Sequence, residues 1–83
     1  MSETKAVQAV PLTFLAEGEE GEIVELRGGR GMTQRLTEMG FTPSTKVKVV
    51  VSNPGGTILI GVRDTKIALG RGIAMKIMVK IVG

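Results

Sequence analysis

Apolar and polar residues alternate over much of the chain, which is the pattern of short β-strands that bury one face. The first such segment is 22–27, where Ile23, Val24 and Leu26 follow a charged stretch. Four more segments follow residue 45, and residues typical of turns separate them. Their predicted inward-facing side chains are Val47, Val49, Val51, Ile58, Ile60, Val62, Ile67, Leu69, Ile77, Val79 and Ile81. The chain is therefore expected to form five short strands.

The segment between the first two strands has helical spacing instead. Met32, Leu36 and Met39 stand at i, i+4 and i+7, which places all three on one helix face. Gly40 occupies the position at which many helices end in the left-handed conformation, and Phe41 is expected to fold back onto the last turn. Because Pro43 prevents continuation, the pattern predicts one complete helix whose three apolar side chains bury against the sheet.

Length and composition turn these elements into a fold class. The 83 residues form one domain at most, and 42% of them are apolar. Phe14 and Phe41 are the only aromatic residues, and both are expected to anchor a mostly aliphatic core. A small sheet that closes on itself removes its exposed edges. We therefore predict a mainly β fold, a small SH3-like five-stranded barrel with one α-helix between strands 1 and 2.

Local signals add detail to this fold. Residues 1–10 show no period and are expected to form a flexible N-terminal tail, so that 11–83 forms the domain. Pro54 and Gly55 fit the central positions of a type II turn, and 73–75 is expected to form one helical turn. In the last strand, alternation places Met78 outward with the lysines, so Met78 is expected to be exposed.

The residue types argue against catalysis. The chain contains neither Cys nor His, which removes disulfides, thiolate metal sites and the commonest acid–base group. Ser44 lies two residues from Lys46, but such proximity in a turn is a poor indicator of a catalytic dyad. We expect no enzymatic activity and no cofactor.

The apolar runs are also too short for the membrane. Each is a few residues long, whereas a membrane-spanning helix needs about 20. The polar N-terminus shows no signal peptide. We expect no direct membrane insertion, and the lack of cysteine is compatible with a cytoplasmic location.

Charge is distributed unevenly around a net +3. Acidic residues concentrate early, and from Lys46 to Lys80 the only acidic residue is Asp64. The basic half can face an acidic partner, although a solvated surface is the commoner interpretation. The early glutamates are weak candidates for direct sensing of a divalent metal, which oxygen ligands suit: Glu17, Glu19, Glu20 and Glu22.

Phosphate binding is a second interpretation of the basic residues. The glycines of 28–31 precede a helix but match neither phosphate-loop pattern, so a sharp strand-to-helix turn is favoured there. Five lysines of the later strands can contact nucleic-acid phosphates without sequence specificity. No exposed aromatic platform for base stacking is expected, so no specific nucleic acid is predicted. A nucleic-acid- or ribosome-associated barrel remains the alternative function.

Three stretches in one order resemble the ferrous iron transport protein A (FeoA) family. The segment 36–50 is similar to its helix-to-strand motif at Leu36, Gly40, Phe41, Pro43 and Val47. Other matching residues lie upstream and downstream, and together they cover about residues 11–82: Leu12, Leu15, Gly18, Gly21, Ile23, Ala74, Ile77 and Val79. Ser44 departs from the usual glycine, so its turn is expected to adopt a geometry that a side chain permits. Gly70 and Gly72 replace bulkier residues, so that segment is expected to be looser.

The resemblance implies an SH3-like cytosolic domain that docks on and regulates the membrane ferrous-iron transporter, a large protein with a cytosolic GTP-binding domain. The family is also similar to the C-terminal SH3-like domain of iron-dependent repressors. Exposure and charge select six residues for partner contact, three on the helix and three in loops: Arg30, Arg35, Glu38, Asn53, Arg63 and Arg71. Edge strands that pair between chains leave a homodimer open.

Overall fold

The computed structural model describes residues 8–82. Its strands are β1 (Val10–Pro11), β2 (Glu20–Leu26), β3 (Lys46–Ser52), β4 (Thr57–Val62), β5 (Thr65–Gly70) and β6 (Ile77–Val82). The helices are α1 (Arg30–Glu38) and α2 (Arg71–Ala74), and Leu12–Phe14 forms a 3-10 turn. All strand pairs are antiparallel, and the sheet order is β1-β6-β2-β3-β4-β5. The mainly β prediction is confirmed, with α1 between the first two long strands.

The strand beyond the predicted five is β1. Val10 and Pro11 pair with Val79 and Met78 of β6, at the end of the segment that was predicted to be a tail. Two residues are too few for alternation to be recognised in the sequence. Residues 1–7 of the predicted tail lie outside the described residues.

One apolar cluster holds the sheet, the 3-10 turn and both helices together. Its buried members are Leu12, Leu15, Ile23, Leu36, Phe41, Val47, Val49, Ile58, Ile60, Val62, Leu69, Ala74, Ile77 and Val79. None of the buried side chains among residues 8–82 is polar. Stability therefore rests on apolar burial, at roughly 1.5–3 kcal/mol for each fully buried large side chain.

The end of α1 follows the predicted stop signal. Gly40 has φ +104°, a conformation that favours glycine. Its N–H donates to the Thr37 carbonyl, and the Phe41 N–H donates to the Leu36 carbonyl, both at 3.0 Å. These are the two bonds of a Schellman motif. Phe41 is fully buried, so its predicted packing is confirmed.

A β-bulge in β3 overturns the prediction that Val51 faces the core. Val49 lies opposite Ile60, but Val51 lies opposite the next residue, Leu59. The extra residue, Val50, moves Val51 to the other face of the sheet, where 38% of its surface is exposed.

The prediction for β6 is wrong at two residues. Met78 is buried rather than exposed, because β6 is flanked on both sides and Met78 lies between Pro11 of β1 and Glu25 of β2. Ile81 was expected to point inward, but 56% of its surface is exposed. Ile81 lies beyond the part of β6 that pairs with β1.

Phe14 is not a core residue, contrary to prediction. It lies in the 3-10 turn, whose period of three residues directs Leu12 and Leu15 into the core together. Phe14 therefore points outward, and 70% of its surface is exposed.

Two further connections have regular conformations, and only the first was predicted correctly. The Gly56 N–H donates to the Asn53 carbonyl at 3.0 Å and Gly55 has φ +70°, which confirms the type II turn. The segment around Gly70 and Gly72, expected to be loose, forms α2 one to two residues before the predicted helical turn.

Ser44 adopts the conformation that its family position suggests for glycine. Its φ is +76°, so the expectation of a turn geometry suited to a side chain is wrong. Hydrogen bonds hold the backbone there, since the Ser44 N–H donates to the Ile23 carbonyl at 2.8 Å. Ser44 is therefore a strained position in this fold.

Replacing this serine should stabilise the protein. We expect Ser44→Gly to raise the free energy of unfolding by about 0.5–1 kcal/mol, because the left-handed strain of about 1–2 kcal/mol outweighs the added freedom of glycine in the unfolded chain. Urea unfolding measures this change. A substitution of the reverse kind at another position of positive φ, Gly40→Ala, should lower the stability by about 1–2 kcal/mol. A loss of stability in Ser44→Gly would contradict the assignment of strain.

Candidate docking groove

An open apolar groove lies between α1 and the α2 end of the sheet. Its volume is about 360 Å³. We call it the apolar groove and define it by its lining residues: Gly31, Met32, Arg35, Leu36, Met39, Leu69 and Ile73. Leu36 and Leu69 are buried and form its floor, whereas Met39 and Ile73 are 37% and 39% exposed at its edges.

The groove exists because the sheet covers only part of the apolar face of α1. Leu36 is buried and Met32 packs partly against the core, in line with the predicted helix face. Met39, the third residue of that face, was expected to be buried, which is wrong. It is the C-cap residue of α1, and the chain turns at Gly40 before the sheet can cover its side chain.

The three predicted contact residues of α1 do not share one environment. Arg35 lines the apolar groove and has no ion pair among residues 8–82. Arg30 is exposed at the first position of α1. Glu38 is exposed and accepts a hydrogen bond of 3.4 Å from the Gln34 side chain.

Two of the predicted loop residues are joined to each other inside the molecule. The Arg71 Nη2 donates to the Ser52 hydroxyl at 2.9 Å and to the Asn53 carbonyl at 3.0 Å. The Arg71 Nε is 3.3 Å from the same carbonyl. Arg71 thus fastens α2 to the turn between β3 and β4, and its guanidinium is largely occupied there.

Arg63 lies at a second depression, on the outer face of the sheet. We call it the cationic cleft, a depression of about 540 Å³ lined by Gly18, Lys48, Val49, Val50, Gly61, Arg63 and Lys66. Arg63 has φ +55° at the tip of the β4–β5 hairpin. The six predicted contact residues therefore occupy several separate places, and their role in partner binding stays a prediction.

The four early glutamates make contacts within the fold. A Glu17 carboxylate oxygen accepts from the Ser52 N–H at 2.8 Å, and a Glu19 oxygen accepts from the Ala16 N–H at 2.7 Å. Glu20 of β2 lies opposite Lys48 of β3, and the Glu22 Oε1 is 3.9 Å from the Lys80 Nζ. Within 8–82, no three acidic residues or more gather into a group that could hold a metal. The four glutamates stay weak candidates for metal sensing.

Neither helix of the described part is long and apolar enough to cross a membrane.

The residues of the apolar groove that sequence reasoning missed are Leu69 and Ile73. Their apolar character predicts burial, and only the position of α1 beside them makes a groove. One signal in the sequence could have indicated the groove. The apolar face of α1 is wider than the burial of Leu36 alone requires, so part of it was available to form a surface.

The six-stranded antiparallel sheet with its inserted helix defines a small SH3-like domain. Solved structures at low identity show the same fold. A FeoA of Stenotrophomonas maltophilia, described as a prokaryotic SH3 domain protein, superimposes with a TM-score of 0.76 at 23% identity, covering 88% of this chain and 89% of that one. A manganese-dependent transcriptional repressor superimposes at 0.85 with 17% identity, over 96% of this chain and 45% of that one. The predicted SH3-like class is confirmed.

The chain belongs to the FeoA domain family, whose model matches residues 10–81. It is 44% identical over 70 residues to a candidate Fe(2+) transport protein A of Methanocaldococcus jannaschii, which covers 84% of each chain. It is also similar to a crystal structure of an iron uptake regulatory protein (FeoA), with 36% identity and a TM-score of 0.84 over 90% of this chain and 100% of that one. The family resemblance seen in the sequence is confirmed.

A pair of arginine substitutions separates a structural role from a surface role. We expect Arg71→Ala to lower the free energy of unfolding by about 1 kcal/mol, since it removes charge-assisted bonds that are partly exposed to solvent. Arg35→Ala, the matched control without an ion pair in the described part, should change it by less than about 0.5 kcal/mol. Urea unfolding of both variants checks this. Equal effects would show that the Arg71 bonds do not fasten the loop.

Proposed function

We propose that this protein is a cytoplasmic accessory protein of ferrous iron uptake, which docks on the cytosolic part of the membrane ferrous-iron transporter and regulates it without catalysis. The observation that carries the proposal is the apolar groove. Met39 and Ile73 leave apolar surface open on both sides of a buried floor. Such a concave apolar surface suits an apolar segment of another protein.

The family supports the iron-uptake part of the proposal. The chain belongs to the FeoA family, and the relative from M. jannaschii carries the name of an Fe(2+) transport protein. The S. maltophilia protein is described as a candidate ferrous iron transport activating factor. Activation by direct contact with the transporter would use a binding surface on this domain, and the apolar groove offers one.

The binding mode is expected to leave the domain unchanged. The groove floor consists of buried core residues, so docking would add a side chain to an existing cavity. Arg35 at the edge would favour a partner segment that also carries a carboxylate. The apolar groove by itself is a small interface, and we expect it to bind with an affinity in the micromolar range or weaker.

The nucleic-acid alternative gains one observation, the exposed ring of Phe14. A stacking surface normally combines several rings with a basic groove that follows the backbone. Here the lining of the cationic cleft contains neither phenylalanine. The docking proposal therefore accounts for more of the surface. Binding to single-stranded RNA that falls steeply with salt would favour the alternative.

Charged substitutions at the groove edge test the docking site. We expect Ile73→Glu and Met39→Glu to weaken binding to the cytosolic GTP-binding part of the transporter by at least about tenfold, because each places a carboxylate in apolar surface. The matched control is Ile81→Glu, which alters an exposed isoleucine outside the groove. Isothermal titration calorimetry gives the dissociation constants of the wild type and the three variants.

Two results would contradict the proposal. Folded wild-type protein that does not bind the transporter part would remove the docking function. Equal affinities of Ile73→Glu and the Ile81→Glu control would retain the function but reject the groove. Regulation is measured separately, as the rate of GTP hydrolysis by the transporter part with and without this protein.

A further inference from the structure

Gly61 lies inside β4, although the fold does not require a glycine there. Its φ is not in the left-handed region, and a Cβ would meet only ordinary contacts, 3.5 Å from a Val50 methyl and 3.8 Å from the Lys48 carbonyl. Gly21 of β2 differs, because a Cβ there would lie 3.1 Å from Val79. A glycine inside a strand weakens it, and often marks a place where another backbone or a ligand approaches closely.

The strand register places Gly61 between two lysines. Lys48 of β3 is its partner on one side, and Lys66 of β5 is its partner on the other. Two strand spacings separate the lysine backbones by about 10 Å. Lys48, Gly61 and Lys66 thus form a row across three strands. Because Gly61 has no side chain, this row has a gap in its middle. That gap is the centre of the cationic cleft.

Charge and floor together describe what fits the cleft. Lys48, Lys66 and Arg63 surround it, and none of them forms an ion pair with another residue of 8–82. The acidic Glu20 lies on the opposite side of Lys48 from Gly61, and Asp64 is at the hairpin tip. The floor is apolar at Val50, a methyl of which lies 3.5 Å from the position of a Gly61 Cβ, and the Gly61 backbone lies beside it.

We propose that the cationic cleft binds an extended acidic peptide segment, whose backbone crosses Gly61 while its carboxylates pair with Lys48, Lys66 and Arg63. The apolar floor favours a peptide that carries an aliphatic side chain among its acids over a bare phosphate. The inference rests on the proposed function in one respect, since the segment would belong to the same transporter. Docking would then use two surfaces, the apolar groove and the cationic cleft.

The first test uses a capped synthetic peptide with four glutamates around a central valine. Amide chemical shifts of the protein are followed by NMR during titration. We expect the largest changes at Lys48, Gly61 and Lys66, and weaker binding at higher salt because the charges are exposed. Shift changes spread evenly over all lysines, or no shift changes at peptide concentrations up to about 10 mM, would overturn the proposal.

Matched variants separate the cleft from general charge. Gly61→Val should fill the gap and weaken peptide binding about tenfold, which is 1.4 kcal/mol. Ala68→Val, an exposed position of β5 outside the cleft, should leave binding unchanged. Lys66→Ala should weaken binding more than Lys76→Ala, which removes the same charge elsewhere. Equal binding by Gly61→Val and wild type would reject the cleft.

Two further measurements keep the result unambiguous. Gly61→Val should unfold at the same urea concentration as wild type or a higher one, since valine favours strands, and lost binding then cannot be attributed to unfolding. Sodium pyrophosphate is titrated in parallel. Tighter binding of pyrophosphate than of the peptide at the same residues would show an anion site and overturn the peptide proposal.

The transporter part gives an independent arm. Weaker binding by Gly61→Val than by Ala68→Val would support the two-surface docking. If wild type does not bind the transporter part at all, the proposed function fails, and the peptide titration alone decides the cleft. If wild type and Gly61→Val bind the transporter part equally, docking stands and this inference fails.

Discussion

The attachment of α1 to the sheet is the constraint on which the candidate site depends. Leu36 in the helix and Phe41 just after it are both buried, and the bonds around Gly40 fix the chain between them. The helix is thereby held at its C-terminal end by one turn and two side chains. Since the chain leaves the helix so sharply, the sheet does not cover Met39 at the end of the apolar face. The apolar groove is the surface that this attachment leaves uncovered.

The second surface results from the strand register. Among residues 8–82 the core holds no buried polar side chain that could orient the strands, so cross-strand pairing decides which residues meet on the outer face. The bulge at Val50 turns Val51 outward and leaves Val50 beside Gly61. The lysines of β3 and β5 then face each other across a glycine. Both surfaces therefore follow from how the core is closed, on different sides of the same small sheet.

Much of the fold was predictable from the sequence, because alternation and helical spacing are local signals. Five strands, α1 and its stop at Gly40 and Phe41 follow from them. A β-bulge leaves no sign in the alternation of the sequence, so the wrong face was predicted for Val51. The exposure of Met39 was missed for a similar reason, since burial depends on how the helix packs against the sheet. Ser44 shows that hydrogen bonds to β2 can hold a serine in a conformation typical of glycine.

The candidate site was less predictable, because contact residues were chosen by charge. Arg71 carries the right charge, but its guanidinium donates hydrogen bonds to Ser52 and Asn53 within the molecule. Leu69 and Ile73 look like core residues, and the opposition of Lys48 and Lys66 across Gly61 appears only once the register is known.

The most direct test of the central claim is NMR of ¹³C-methyl-labelled methionine during titration with the transporter's cytosolic part. The account predicts shifts of Met32 and Met39, which line the groove, and little change at the buried Met78. Unchanged Met32 and Met39 signals in a bound complex would contradict it.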